Sequence, residues 1–232
     1  MTPAPATPVW VIVPAYQEGT MIRDTLTPLL AMGYQVILVD DASTDETRYQ
    51  VAGLPVHYLR HGINLGQGAA LETGMAYARL QGADWVVHFD ADGQHQVADI
   101  PVLLAPLLAG TADIVLGSRF MSAAARALVP PGRRRLLRVA AVVNLLLTGL
   151  RLTDAHNGLR ALNAHALSGI RLHQNRMAHA TEILQEIHRL RLRWQEVPVT
   201  VTYSPYARQK GQRATQAWPI LRDLILHTLF HR

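Results

Sequence analysis

Five apolar runs of strand length, each ending on polar or charged residues, constrain this chain more than any other feature. They are VWVIVPAY (9–16), QVILVDD (35–41), VHYLRH (56–61), WVVHFDA (85–91) and DIVLGSR (113–119). Unbroken apolar runs fit strands buried on both faces, as in a parallel sheet. Helix-length segments separate them at 20–32, 44–52, 68–81 and 97–109. Ser43 or Thr44, followed by Asp45 and Glu46, predicts an N-cap for the second segment. The alternation predicts an α/β domain whose mixed, mainly parallel sheet is flanked by helices. In such sheets ligands sit beyond the carboxyl ends of the strands. There the chain gathers Tyr16-Gln17-Glu18, Asp40-Asp41, Asp90-Ala91-Asp92 and Gly117-Ser118-Arg119.

The stretch WVVHFDADGQHQ (85–96) raises the sharpest chemical question. Two carboxylates two residues apart repel unless a cation lies between them or one is protonated. Alternate residues of an extended strand face the same way, which would let Asp90 and Asp92 approach one point. Hard oxygen donors of this kind suit Mg²⁺ or Mn²⁺, which take one or two carboxylates and share the rest with phosphates and water. Solvated turn chemistry is the alternative. Gly66 and Gly68 resemble a phosphate loop, but the following Lys-Ser/Thr is absent, so a turn and helix start is expected.

Charge divides the chain. Residues 1–115 carry 4 Arg against 12 Asp and Glu, whereas residues 116–232 carry 17 Arg and 1 Lys against 5 Asp and Glu. An acidic half suits a cation, and a basic half suits an anion such as a phosphate or an acidic membrane surface. Nucleic acid is not expected, because aromatic residues are only 6% and offer little stacking surface. With no cysteine there is no disulfide framework and no thiolate metal site. MTPAPATP (1–8) lacks a basic n-region and an apolar core, so it is expected to be a disordered tail and no signal peptide.

The second half contains RRRLLRVAAVVNLLLTGL (133–150), a basic start running into an apolar helix too short to span a bilayer, which takes about 20 residues. A core helix and an amphipathic helix lying in the membrane interface both fit it. The last segment, 213–232, reads as a C-terminal amphipathic helix whose apolar side needs the domain, a second subunit in a homodimer, or lipid. These readings predict a cytoplasmic protein attached peripherally to the inner face of the membrane, with a small membrane protein as a further docking partner.

VPAYQE (13–18), LVDDASTDET (38–47), NLGQGAALETGM (64–75), DADGQH (90–95) and GSRF (117–120) follow in order. In that combination the chain resembles family 2 glycosyltransferases of the GT-A fold, a Rossmann-like nucleotide-diphospho-sugar transferase domain, here over 9–212. DAHNGLRALN (154–163), ATEI (180–183), EVPVTV (196–201) and ARQKGQ (207–212) resemble the branch of dolichyl-phosphate mannose synthase and other polyprenyl-phosphate glycosyltransferases. The resemblance implies that Pro14, Tyr16, Glu18, Val39 and Asp41 line the base and ribose of a nucleotide sugar. It implies that Asp90, Asp92 and Gln94, with Ala91 between, hold Mg²⁺ or Mn²⁺ against the diphosphate. Arg119 and Arg208 would meet phosphate oxygens, for which guanidinium groups are well shaped. His95 belongs to the same motif with a structural role, since a hard cation prefers oxygen. The chain departs from the branch at Gly211-Gln212-Arg213-Ala214, where Gly-Glu-Ser-Lys is usual, and Arg213 or Lys210 could supply the missing charge. A processive polysaccharide synthase is excluded, because Leu190 stands where its Gln-x-x-Arg-Trp motif needs Gln.

The implied activity is inverting transfer of a sugar from a nucleotide-diphosphate donor to a polyprenyl phosphate. That acceptor is already anionic and needs positioning and charge compensation more than a base. Arg133, Arg134, Arg135 and Arg138 suit its head group. A hydroxyl of a lipid-linked or soluble glycan would instead want a carboxylate base, for which Asp154 or Glu182 stands. A catalytically silent sugar-nucleotide-binding protein is the third reading.

Overall fold

The computed structural model describes residues 5, 7–129, 131–154, 157–176 and 178–202. Seven strands form one sheet: β1 (Val9–Ala15), β2 (Gln35–Asp40), β3 (His57–Arg60), β4 (Trp85–His88), β5 (Ile114–Ser118), β6 (Arg160–Asn163) and β7 (Trp194–Pro198). Their order is β3-β2-β1-β4-β6-β5-β7. Every pairing is parallel except those of β6, which runs antiparallel to both β4 and β5. The mixed, mainly parallel sheet expected from the alternation is therefore present.

Helices cover both faces. Val11, Val13 and Leu38 point into one core with Leu26 and Leu29 of α1 (Ile22–Ala31) and Leu103 and Leu107 of α4 (Ile100–Leu108). Ile12, Ile37 and Val39 point into the other with Leu71 and Met75 of α3 (Gln67–Leu80) and Ile183 and Ile187 of α8 (His179–Arg189). Burial on both faces is why the parallel strands read as continuous apolar runs. Short α2 (Thr47–Gln50), α5 (Ala123–Leu128) and α7 (Ala164–Gly169) and the long α6 (Pro131–Thr148) complete the set.

Two sequence expectations need correction. Ser43 and Thr44 do not cap the second helix, which begins only at Thr47 and has no side-chain cap. Their hydroxyls instead accept from Gln17, Ser43 from the backbone N (3.0 Å) and Thr44 from the carboxamide (2.8 Å). Asp45 takes the Gly19 N–H (2.9 Å), and the Thr47 hydroxyl takes that of Glu18 (2.9 Å). This polar run thus stitches the end of β2 to the end of β1. Second, β4 stops at His88, so Asp90 and Asp92 lie in a turn beyond the strand rather than on alternate positions of it.

Among the described residues no helix is long and apolar enough to cross a membrane. Arg208, the 207–212 motif and the predicted helix 213–232 lie outside the described residues, as does most of the 1–8 tail.

Candidate active site

The turn after β4 is held from four sides. The Thr25 hydroxyl of α1 donates to the Ala91 carbonyl (3.0 Å). The Gln67 carboxamide, at the start of α3, donates to Asp90 Oδ1 (2.9 Å). His95 Nε2 lies 3.0 Å from Asp90 Oδ2, the structural contact its place in the motif suggested. From the far side, His95 bridges Val201 and the Gln94 carbonyl accepts from Thr202 N (2.8 Å). Gly158 completes the fit: a β-carbon there would drive into Asp90 Oδ2, so only glycine lets the loop before β6 lie against the carboxylate.

The turn still brings the two carboxylates within electrostatic reach of each other. Burial, followed by the charge of Asp90, pushes the Asp92 carboxyl above its usual range. Burial would also raise Asp90, but the His95 hydrogen bond and charge, with Arg160 and His179, hold it below. Gln94 donates both its backbone N–H (3.1 Å) and its carboxamide to Asp92. Among the described residues no three His, Cys, Asp or Glu side chains gather into a metal cage. Two crowded carboxylates with one carboxamide are nevertheless the incomplete oxygen set that Mg²⁺ or Mn²⁺ accepts when phosphates supply the remainder. The residues present fit such an ion.

Asp90, Gln94, His95, Arg119, Asn157, Gly158 and Val201 line one hollow. It gathers the turn after β4, the end of β5 and the loop before β6. Arg119 is buried, and it grips Asp154 through Nε (2.6 Å) and Nη2 (2.7 Å) while its backbone N–H donates to the same carboxylate (3.0 Å). Burial opposes ionisation of Asp154, but these bonds and the Arg119 charge win and hold its carboxyl below the usual range. Glu196 of β7 in turn fixes that loop by accepting from the backbone N–H groups of Thr153 (2.9 Å) and Asp154 (3.1 Å). Sequence reasoning missed Gln67, Asn157 and Glu196; all three stand inside quoted motifs, 64–75, 154–163 and 196–201, which was the available signal.

The other expected site residues spread along the neighbouring strand ends. Tyr16 is 44% exposed at the rim and Glu18 is buried beside it. Pro14 and Val39 are register partners within the sheet, and both are buried, Val39 completely, so its side chain belongs to the core. Asp41 accepts from Leu65 N (2.8 Å) and Gly66 N (2.7 Å) and meets His61 Nδ1 (2.7 Å), which secures the 61–66 loop. Gly66 and Gly68 form the expected turn and helix start: the first N–H groups of α3 are spent on the Asn175 carbonyl (2.8 Å from Gly68 and 3.2 Å from Ala69). Glu182 caps a loop by accepting from His173 N and Gln174 N (2.8 Å each).

Comparison with known proteins follows this geometry. Residues 10–171 match the family described as Glycosyl transferase family 2. The chain is 29% identical to the UDP-N-acetylglucosamine–dolichyl-phosphate N-acetylglucosaminyltransferase of Methanococcus voltae, over 94% of this chain and 95% of that one. It is 34% identical to the undecaprenyl-phosphate mannosyltransferase of Micrococcus luteus, over 71% and 70%. Among solved structures it resembles glucosyl-3-phosphoglycerate synthase of Mycobacterium tuberculosis, captured with Mn²⁺, UDP and glucosyl-3-phosphoglycerate. The TM-score is 0.71 at 20% identity, covering 97% of this chain and 79% of that one, which establishes a shared GT-A fold.

Proposed function

Because the chain belongs to glycosyl transferase family 2, we propose that it transfers a sugar, with inversion, from a nucleotide-diphosphate sugar to a polyprenyl phosphate. The observation that carries this reading is the hollow where Asp90 and Gln94 meet Arg119, a cation-seeking corner beside a buried guanidinium. In the reaction an acceptor phosphate oxygen bonds to the anomeric carbon as the bond to the donor diphosphate breaks, releasing nucleoside diphosphate. A divalent ion held by Asp90, Asp92 and Gln94 would offset charge on that leaving group. Arg119 is locked by Asp154 into one orientation and presents a fixed positive charge to phosphate. Tyr16, Glu18 and Asp41, backed by Pro14 and Val39, take the nucleotide end, and Arg208 adds phosphate contact.

The commitments of Asp154 and Glu182 favour an anionic acceptor. A base for a hydroxyl group needs a free carboxylate with a raised pKa. Asp154 is depressed and bound to Arg119, and Glu182 is occupied by two backbone N–H groups. The apolar part of the lipid fits a protein lying on the inner face of the membrane. Val142 and Leu146, one turn apart on α6, are 60% and 80% exposed, an apolar strip of the kind that enters lipid.

The deciding experiment is a panel of UDP-, GDP- and dTDP-sugars with Mn²⁺ and a short polyprenyl phosphate, scored for nucleoside diphosphate release. Release that needs both metal and lipid phosphate is expected. Release that ignores the lipid moves the acceptor to a glycan hydroxyl, and binding without release would indicate a silent sugar-nucleotide-binding protein.

A further inference from the structure

Beneath the turn that carries Asp90 lies a buried positive charge that the reaction scheme leaves unused. Arg160 opens β6 directly opposite His88, the last residue of β4, so the two side chains share one face of the sheet. Arg160 is 3% exposed and its Nη1 has no hydrogen-bond partner; His88 is 1% exposed and neither of its ring nitrogens has one. A buried guanidinium left short of partners is costly, and a fold retains one only where something compensates it. Burial pushes the Arg160 pKa down to about 10, which still leaves it charged at neutral pH, and the charges of Asp90 and Asp154 both oppose that shift. Those are the carboxylates that face the metal corner and hold Arg119.

Counting formal charges around the hollow shows what Arg160 does. Asp90, Asp92 and Asp154 are opposed by Arg119 and Arg160. With both arginines, a bound divalent ion leaves the corner net positive and attractive to a diphosphate. Without Arg160 the corner would be more negative throughout, attracting the cation more and the diphosphate less. We propose that Arg160 is a positioning residue that trades metal affinity for diphosphate affinity, keeping the corner cationic enough to grip the donor once the ion is in place. This rests on the metal-dependent reading above, and it adds a role that the side chain performs without touching the substrate.

The test replaces Arg160 with Met, an apolar side chain of similar length; exchanging buried ions for apolar groups of similar volume is often tolerated. Arg160→Gln is a second neutral variant should Met fail to fold, and Arg160→Lys keeps the charge. Mn²⁺ affinity is read from free-ion electron paramagnetic resonance, and UDP and GDP affinities from calorimetry at saturating Mn²⁺. The neutral variants are expected to bind Mn²⁺ more tightly and nucleoside diphosphate more weakly, each by on the order of tenfold, with Lys restoring both. A purely structural role would weaken both affinities together, and either that result or no change in either overturns the proposal. Wild-type protein that bound neither Mn²⁺ nor nucleoside diphosphate would sink the reading of the site itself, and the proposal with it.

Discussion

Asp90 and Asp92 sit two residues apart and differ in what stands against them. Asp90 has His95, Gln67 and the field of Arg160, whereas Asp92 has Gln94 and the repulsion of Asp90. Asp92→Ala should therefore abolish metal-dependent transfer with little loss of stability; turnover near wild type would remove the carboxylate from the metal site. Asp154→Asn should cost about 3 kcal/mol, because it leaves the buried Arg119 uncompensated, and should lower transfer sharply; a denaturation midpoint unchanged from wild type would contradict the buried pair. His88 carries a pH dependence. Burial, then the charges of Arg160 and His179, push its pKa down to about 3, against about 6.5 in an unfolded chain. Between those values the unfolded chain binds a proton that the folded protein refuses, so stability rises with pH across the window. Acidifying from about pH 6.5 toward pH 4 should cost up to about 1.4 kcal/mol per pH unit from this group. His88→Leu should flatten that slope in urea titrations at several pH values; equal slopes would mean His88 is not held neutral in the fold.

Among the elements, all five expected strands are present: β1, β2, β4 and β5 were legible as buried apolar runs, and β3, the half-buried edge strand, by its Tyr58 and Leu59. β6 was not legible, because its first residue is a buried arginine, and a pattern of apolar positions has no way to place a charge inside a sheet. β7 lies at the sheet edge, pairs only with β5, and carries Gln195 and Glu196, so its pattern does not announce a strand. The expected cap at Ser43 failed for a related reason. Small polar residues compete among helix starts, turns and neighbouring loops, and which one wins depends on Gln17, 26 residues away. The DxD turn was found by residue type, yet its rigidity comes from Thr25, Gln67 and the strand-like segment at 199–202, distant contributions that only the folded chain displays. The close approach of the loop before β6 gives an element-scale prediction. Gly158→Ala should push Asp90 aside and weaken Mn²⁺ binding far more than it lowers the melting temperature; unimpaired Mn²⁺ binding would show that the two can separate freely.

For the whole molecule, one hollow joins Asp90, Gln94 and His95 from the acidic first half to Arg119, Asn157 and Gly158 from the basic second half. Exposed Val142 and Leu146 on α6 make attachment testable: Val142→Asn with Leu146→Gln should reduce sedimentation with vesicles containing anionic lipid, and unchanged sedimentation would assign attachment to another surface. The antiparallel entry of β6 between β4 and β5 has one more consequence. β5 runs toward the rim and β6 runs away from it, so the chain leaves the sheet after Ser118 and returns at Arg160 on the same edge. The 41 residues between are a closed detour, anchored at its return by Asp154 and Asn157. The middle of the detour, between Phe120 and Gly149, behaves as an exchangeable cassette: its length and composition can change without shifting a single strand register, while Arg119 at its start and Asp154, Asn157 and Gly158 at its return stay with the donor site.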